Sequence, residues 1–158
     1  MNNKPTIFLD IDGVLVIDEE ETRLHYKFKK PFFDINCVNA LNEIIKEVNP
    51  DIIISSDWNL KLSIDDLNEI FKDFGVNGTI TDVTESLWKK KFKKFQDLEI
   101  CRSEEIMNFV IENELTNWIA VDDLWLQPLI RNFILTNHNT GIAGAKRLII
   151  DTLKSKML

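Results

Sequence analysis

The sequence predicts an α/β protein in three layers, α/β/α, with a mostly parallel sheet covered by helices on both faces. Three observations predict it. Short β-favouring apolar runs alternate with helix-like patterns along the whole chain. The runs are apolar at consecutive positions, as expected of strands buried on both sides. Polar residues gather where the runs end: Asp10 and Asp12, Ser55 and Ser56, Asp122 and Asp123. Ligands of parallel sheets sit at the carboxyl ends of the strands, so three such decorations on one rim point to one site.

The first run, Thr6-Ile7-Phe8-Leu9, reads as a strand that gives way to Asp10-Ile11-Asp12-Gly13. Residues two apart point to the same side, so both carboxylates look into one cleft. Gly13 permits a turn that a side chain obstructs. Two anions this close repel, and a cation such as Mg²⁺ is the usual relief. Residues 14–28 read as a small hairpin or flap, with acidic turn residues at 18–21 and then a basic, aromatic stretch. Its Lys27, Lys29 and Lys30 fit either the cleft mouth or a solvated edge. Residues 35–48 make the clearest helix. Ile35, Val38, Leu41, Ile44, Ile45 and Val48 form its stripe, Asp34 caps its start and Asn49-Pro50 stops it.

A second strand, Asp51 to Ser55, closes on Ser55-Ser56-Asp57-Trp58. Ser63-Ile64-Asp65-Asp66 has the form of a capping box opening a helix to about Phe74, with Gly75 placed to end it. A short third strand falls around Thr79–Thr81. The basic run Lys89, Lys90, Lys91, Phe92, Lys93, Lys94 reads as a solvated helix face or loop. Ser103 is expected to cap a helix over 104–113 with Ile106, Met107, Phe109 and Val110 inward. WIAVDD at 118–123 is a fourth strand ending in adjacent carboxylates, and Phe133–Leu135 a fifth. A last helix from about Ile142 to Leu153 is expected to bury Ala145, Leu148, Ile149 and Leu153.

Composition narrows the class. At 158 residues the chain fits a single domain, residues 1–158, with a sizeable core and no linker, repeat or low-complexity tract. With 44% hydrophobic and 28% charged residues, global disorder is excluded. No apolar run approaches the ~20 residues a bilayer demands. The start, MNNKPTIFLD, lacks the apolar segment of a secretory signal, so the cytoplasm is expected. Cys37 and Cys101 lie in no C-x-x-C pair and read as buried reduced thiols. His25 and His138 are isolated, without zinc-ligand spacing. A net charge of −7 and a pI near 4.9 disfavour indiscriminate binding to a nucleic-acid backbone. A strand end met by a local basic patch stays compatible.

Chemically, Asp10 fits a nucleophile toward phosphorus and Asp12 a general acid/base two residues on. The full order is narrower than any one piece: hydrophobic–D-x-D-G-V-L, a strand then Ser, a later cation, a strand then Asp-Asp. It resembles the four motifs of the haloacid dehalogenase (HAD) superfamily of phosphohydrolases, over almost the entire chain. A receiver domain also has an acidic Mg²⁺ pocket but lacks the second Asp two positions after the acceptor. The resemblance implies a Rossmann-like HAD-type sheet and a Mg²⁺-dependent phosphatase with an aspartyl-phosphate on Asp10. It implies a metal site from Asp10, Asp12, Asp122 and Asp123, with Ser56 on a phosphoryl oxygen.

More narrowly, S-D-W, R-S-E-E-I, V-D-D and T-N-H-N-T-G-I are similar to compact HAD domains associated with RNA repair proteins. By that likeness the second-motif residue is Ser56, two before Trp58, with Ser55 as fallback. Arg102 is then the third-motif cation, where most HAD enzymes use Lys, and Lys89, Lys90 and Lys91 compete for the role. Trp58 reads as a packing residue, Thr136 and Thr140 as turn caps. The insertion after the first motif is too short for a large cap domain, which by resemblance favours a phosphorylated nucleic-acid or nucleotide end as substrate. Two alternatives stay open: a phosphatase of small metabolites such as nucleotide or sugar phosphates, and a catalytically idle HAD fold serving as a binding or regulatory module.

Overall fold

A computed structural model describes residues 4–87 and 98–157 of the chain. Five short strands form one sheet: β1 (Thr6–Leu9), β2 (Asp51–Ile54), β3 (Ile80–Val83), β4 (Trp118–Asp122) and β5 (Phe133–Leu135). Their order is β3-β2-β1-β4-β5, and every pair is parallel. Among the described residues four α-helices accompany them: α1 (Ile35–Val48), α2 (Ile64–Asp73), α3 (Leu98–Glu112) and α4 (Gly141–Lys156). Short 3-10 turns follow β2 (Asp57–Leu60) and precede β5 (Gln127–Asn132). This is the expected α/β/α architecture with a Rossmann-like sheet and no large cap.

The alternation of side chains along β1 divides the core in two. Ile7 and Leu9 point into the larger cluster, with residues of α1, α2 and α4. Phe8 points into a smaller one built from Ile53, Trp118 and Ala120 of the sheet, Ile106 and Val110 of α3, and Leu126 and Leu129. The rings of Phe109 and Trp118 meet Phe8 edge-on at 5.6 and 5.7 Å.

Helix ends follow local chemistry. The Asp34 carboxylate accepts the Asn36 and Cys37 N–H groups at 2.9 and 3.0 Å and opens α1 as expected. Ser63 and Asp66 make the reciprocal capping box of α2, and Gly75 takes up a left-handed φ of 88° beyond it. Four expectations need correction. β3 begins at Ile80, a residue later than anticipated. Ser103 does not cap α3, which already starts at Leu98; its hydroxyl donates to the Glu99 carbonyl at 2.8 Å inside the helix. Ile35 is 65% exposed, because the buried face of α1 also takes in Cys37 and Ala40. In α4 the inward row is Ile142, Ile149, Ile150 and Leu153, which turns Leu148 out to 59% exposure. Cys37 and Cys101 are buried free thiols.

The segment between β1 and α1 is the small flap. One antiparallel bridge, Leu24 to Pro31, closes it, and Lys29 takes a left-handed φ of 57° at its turn. Buried His25 docks the flap on α2. Its Nδ1 accepts the Lys27 and Phe28 N–H groups, which leaves the ring proton on Nε2, 3.0 Å from Asp73 Oδ2. Among the described residues no helix is long and apolar enough to cross a membrane.

Candidate active site

Parallel register brings the decorated strand ends to one rim. The Asp10 N–H donates to Val121 O at 3.1 Å, the Ser55 N–H to Leu9 O at 3.0 Å, and the Thr136 N–H to Asp122 O at 2.9 Å. Strand order reverses at β1: the chain first builds outward through β2 and β3, then returns to the other side with β4 and β5. The crevice at such a reversal is where open α/β sheets bind ligands. Asp10 leaves β1 and Asp122 ends β4 at this crevice.

Asp10, Asp122 and Asp123 each present a carboxylate oxygen, all within 4.8 Å of one another. Gly13 makes this approach possible. Its φ is +76°, and a Cβ there would lie 2.1 Å from Asp123 Oδ2, so the Asp123 carboxylate leans over the first-motif loop in space a side chain would fill. An all-carboxylate set of this kind fits a hard divalent cation, for which three converging oxygens are natural ligands and thiolate or imidazole are not. Asp12, expected among the metal ligands, stands outside this cluster; its Oδ2 instead accepts the indole N–H of Trp58 at 3.1 Å.

Arg102, buried on α3, enters the same space from below the sheet. One of its terminal nitrogens donates to Asp122 Oδ2 at 2.7 Å and to the Ser55 carbonyl at 3.1 Å, and lies 3.5 Å from Asp10 Oδ1. The other donates to Asp57 Oδ1 at 3.2 Å. The guanidinium therefore bridges nucleophile candidate and metal-ligand candidate while a backbone carbonyl fixes its plane. Lys89, Lys90 and Lys91, its competitors in the sequence, lie outside the described residues.

The charges are strongly perturbed. Burial, then the negative charge of Asp122, lifts the Asp10 carboxyl well above its ordinary value, against the pull of Arg102. Burial pushes the Asp122 carboxyl up to about 6, with Arg102 again opposing. Burial also raises Asp12, against the Trp58 hydrogen bond and the Lys30 charge. For Arg102 burial favours the neutral form, but Asp10 and Asp122 outweigh it and the guanidinium is held charged. Clustered shifts of this kind, in a cleft, are what active sites display.

Ser56 and Ser55 separate by orientation. The Ser56 hydroxyl bonds Asp10 and also accepts the Trp58 backbone N–H at 3.4 Å. Among the described residues the Ser55 hydroxyl is buried without a partner, and Ser55 meets Arg102 through its carbonyl. Of the flap lysines, Lys27 pairs with Glu69, Lys29 turns to the Tyr26 carbonyl, and Lys30 stands over the Trp58 ring, 4.8 Å from its centroid. An open cleft of about 600 Å³ leads in, lined by Asp12, Gly13, Asp123, His138 and the acidic flap residues Asp18, Glu19 and Glu20.

Sequence reasoning missed four participants. Asp57 completes the Arg102 grip, and Glu105, buried, places Oε2 at 3.9 Å from Arg102 Nε. An acidic residue three positions after a buried Arg was the available signal for Glu105. Thr136 does more than cap a turn: its hydroxyl donates to the Gly13 carbonyl at 3.0 Å, while the Ile142 N–H holds Val14 O at 2.9 Å, so segment 136–142 clasps the first-motif loop. Thr140 sits before α4 without capping it through its side chain. Trp58 is buried as expected yet also holds Asp12, a partnership no spacing rule announces.

Comparison with known proteins agrees with this arrangement. A family model described as the HAD domain in Swiss Army Knife RNA repair proteins matches residues 6–146. No curated protein and no solved structure matches significantly. The match runs from β1, ahead of Asp10, through Arg102 and Asp122-Asp123 into α4, and so takes in every strand and all the site residues described above. With that coverage, the chain belongs to the HAD family of phosphohydrolase-type domains, as one of the compact HAD domains of the kind found in Swiss Army Knife RNA repair proteins.

Proposed function

We propose that this protein is a Mg²⁺-dependent phosphomonoesterase that works through an aspartyl-phosphate on Asp10. The observation that carries the reading is the meeting of Asp10, Asp122 and Asp123 with the buried Arg102 guanidinium at the strand-order reversal. Asp10, Asp122 and Asp123 would hold the ion, which supplies charge neutralisation for an incoming phosphate dianion and its in-line displacement.

The chain's own residues account for the remainder. Asp10 Oδ bonds to phosphorus as the ester P–O bond breaks, and protonated Asp12 gives its proton to the departing oxygen. The raised position of the Asp12 carboxyl supports its holding that proton beforehand. Asp12, now a carboxylate, takes a proton from water as the water oxygen attacks phosphorus; phosphate leaves and the Asp10 carboxylate returns. Arg102 opposes the protonation that burial and Asp122 impose on Asp10 and, as a fixed donor, steadies the phosphoryl oxygens together with the Ser56 hydroxyl. Arg102 cannot itself deliver a proton.

For the substrate, a phosphorylated nucleic-acid or nucleotide end is supported by the RNA repair context of the family and by the absence of a large cap. A small-metabolite phosphate is a second reading, favoured by Asp18, Glu19 and Glu20 at the cleft, which repel a polyanionic leaving strand. Release of inorganic phosphate from 3′- and 5′-phosphorylated oligonucleotides and from phosphorylated metabolites, each with Mg²⁺ and then with chelator, decides both points. Mg²⁺-dependent turnover of one class is expected. No turnover on any member would leave the fold as a binding module.

A further inference from the structure

We propose that Trp58 is a positioning residue for Asp12: its indole N–H pins one carboxylate oxygen and thereby aims the other at the leaving group. The proposal rests on the phosphohydrolase reading above and deepens it. Asp12 lies on the loop after β1, one side open to solvent and the other desolvated against Trp58, and the 3.1 Å bond from Trp58 Nε1 is the hydrogen bond its carboxylate makes among the described residues. An untethered exposed carboxylate samples several rotamers, whereas proton delivery requires a donor within hydrogen-bond reach of the leaving oxygen. The tether itself is rigid. Trp58 is 3% exposed, its ring lies 5.9 Å from Phe33, and the Lys30 ammonium covers its face at 4.8 Å.

The same residue reaches a second member of the site. Its backbone N–H donates to Ser56 Oγ, and Ser56 is the N-cap of the 3-10 turn that carries Trp58. Asp12 and Ser56, from separate motifs, are thus referenced to one residue, the first through its indole and the second through its backbone. A buried indole N–H needs an acceptor in any case; here that acceptor is the carboxylate of the acid/base itself. Holding a catalytic group to within a fraction of an ångström through a locked neighbour is what such second contacts accomplish.

Trp58→Phe keeps a buried ring under Lys30 and deletes the donor; replacing Trp58 with 3-benzothienylalanine keeps the full bicyclic shape and also deletes it. The readout is kcat/KM, which reports the steps through leaving-group departure, across aryl and alkyl phosphates of increasing leaving-group basicity. With nitrophenyl phosphate, whose leaving oxygen needs no proton, both variants are expected within about threefold of wild type. With alkyl phosphates a loss of about 10- to 100-fold is expected, part of what a well-placed general acid supplies. Adding Trp58→Phe to Asp12→Asn should cost nothing further, since no acid/base is left to position.

An equal loss across all leaving groups, or losses that multiply with Asp12→Asn, would overturn the proposal in favour of packing alone. The tether also has a readout without turnover. The indole N–H resonance of Trp58, assigned by its absence in Trp58→Phe, should move in Asp12→Asn, and an unmoved signal overturns the contact itself. A wild-type protein that hydrolyses none of the phosphates would instead sink the phosphohydrolase reading and the catalytic half of this proposal with it.

Discussion

The two faces of the sheet are held by different means. On the face covered by α1, α2 and α4, the inward residues are almost all apolar, and fully buried Leu41, Ile44, Leu67, Ile70, Phe71, Ile149 and Leu153 pack on Ile7 and Leu9. On the other face α3 buries Arg102, Ser103 and Glu105 alongside Ile106 and Val110, over a much smaller cluster around Phe8. A helix that turns an Arg and a Glu inward gives up apolar burial for a fixed cation beneath the acidic rim. One face is almost purely apolar, and the other trades apolar burial for a charged site.

Substitutions on the two faces should therefore separate fold from turnover. The largest effect belongs to the rim: Asp10→Asn should lower phosphate release on the order of 10⁴-fold or more, as losing a covalent nucleophile does, with the circular-dichroism spectrum unchanged. Near-wild-type turnover would remove Asp10 as nucleophile. Next comes the thin face. Arg102→Ala strands the buried carboxylates of Asp10 and Asp122 and should cost about 3–5 kcal/mol in denaturant titration together with most activity. Because the ion replaces the lost positive charge, excess Mg²⁺ should recover part of that stability but not the turnover. Leu41→Ala, on the thick face, is expected to cost a similar ~2–5 kcal/mol while kcat below the melting transition stays within about twofold. If Leu41→Ala proves as harmful to kcat as Arg102→Ala, the division between the faces does not hold.

Two smaller effects sharpen it. Without metal, Asp122 is held at about 6, raised chiefly by burial, and Asp10 is raised in the same sense. A carboxyl raised on folding stabilises fully below its unfolded value near 4, and that stabilisation is lost as pH climbs through about 6. Metal-free protein should thus lose stability from pH 4 to 7, and the Mg²⁺-induced rise in Tm should be larger at pH 7.5 than at pH 5. Equal rises at both would mean that the ion does not meet these carboxylates. Last, Leu148→Ser on the outer side of α4 should change stability by less than about 0.5 kcal/mol, since that side chain is mostly in water.

Much of this division could be read from the chain beforehand. α1 was legible to the residue, because an Asp cap, an apolar stripe and Asn49-Pro50 agree. The motif carboxylates were legible because each directly follows an apolar run, and parallel pairing leaves such residues one place to go. α3 was not. Its inward face alternates charge with aliphatic residues, so the apolar period marks only its second half and Ser103 looks like a beginning. Trp58 shows a different limit. Its size forecasts burial, but which atom its indole N–H meets depends on the packing of a loop far away in sequence, and pattern carries no such vector.

The clasp on the first-motif loop bears on when that loop becomes fixed during synthesis. Synthesis proceeds from the amino end, so Asp10, Arg102 and both later carboxylates emerge from the ribosome before Thr136 and Ile142, whose donors grip Gly13 and Val14. A nascent chain paused ahead of Ile142 would own the whole acid set and no fixed loop to direct it. The loop that carries Asp10 and Asp12 thus takes its fixed shape only once segment 136–142 has been made.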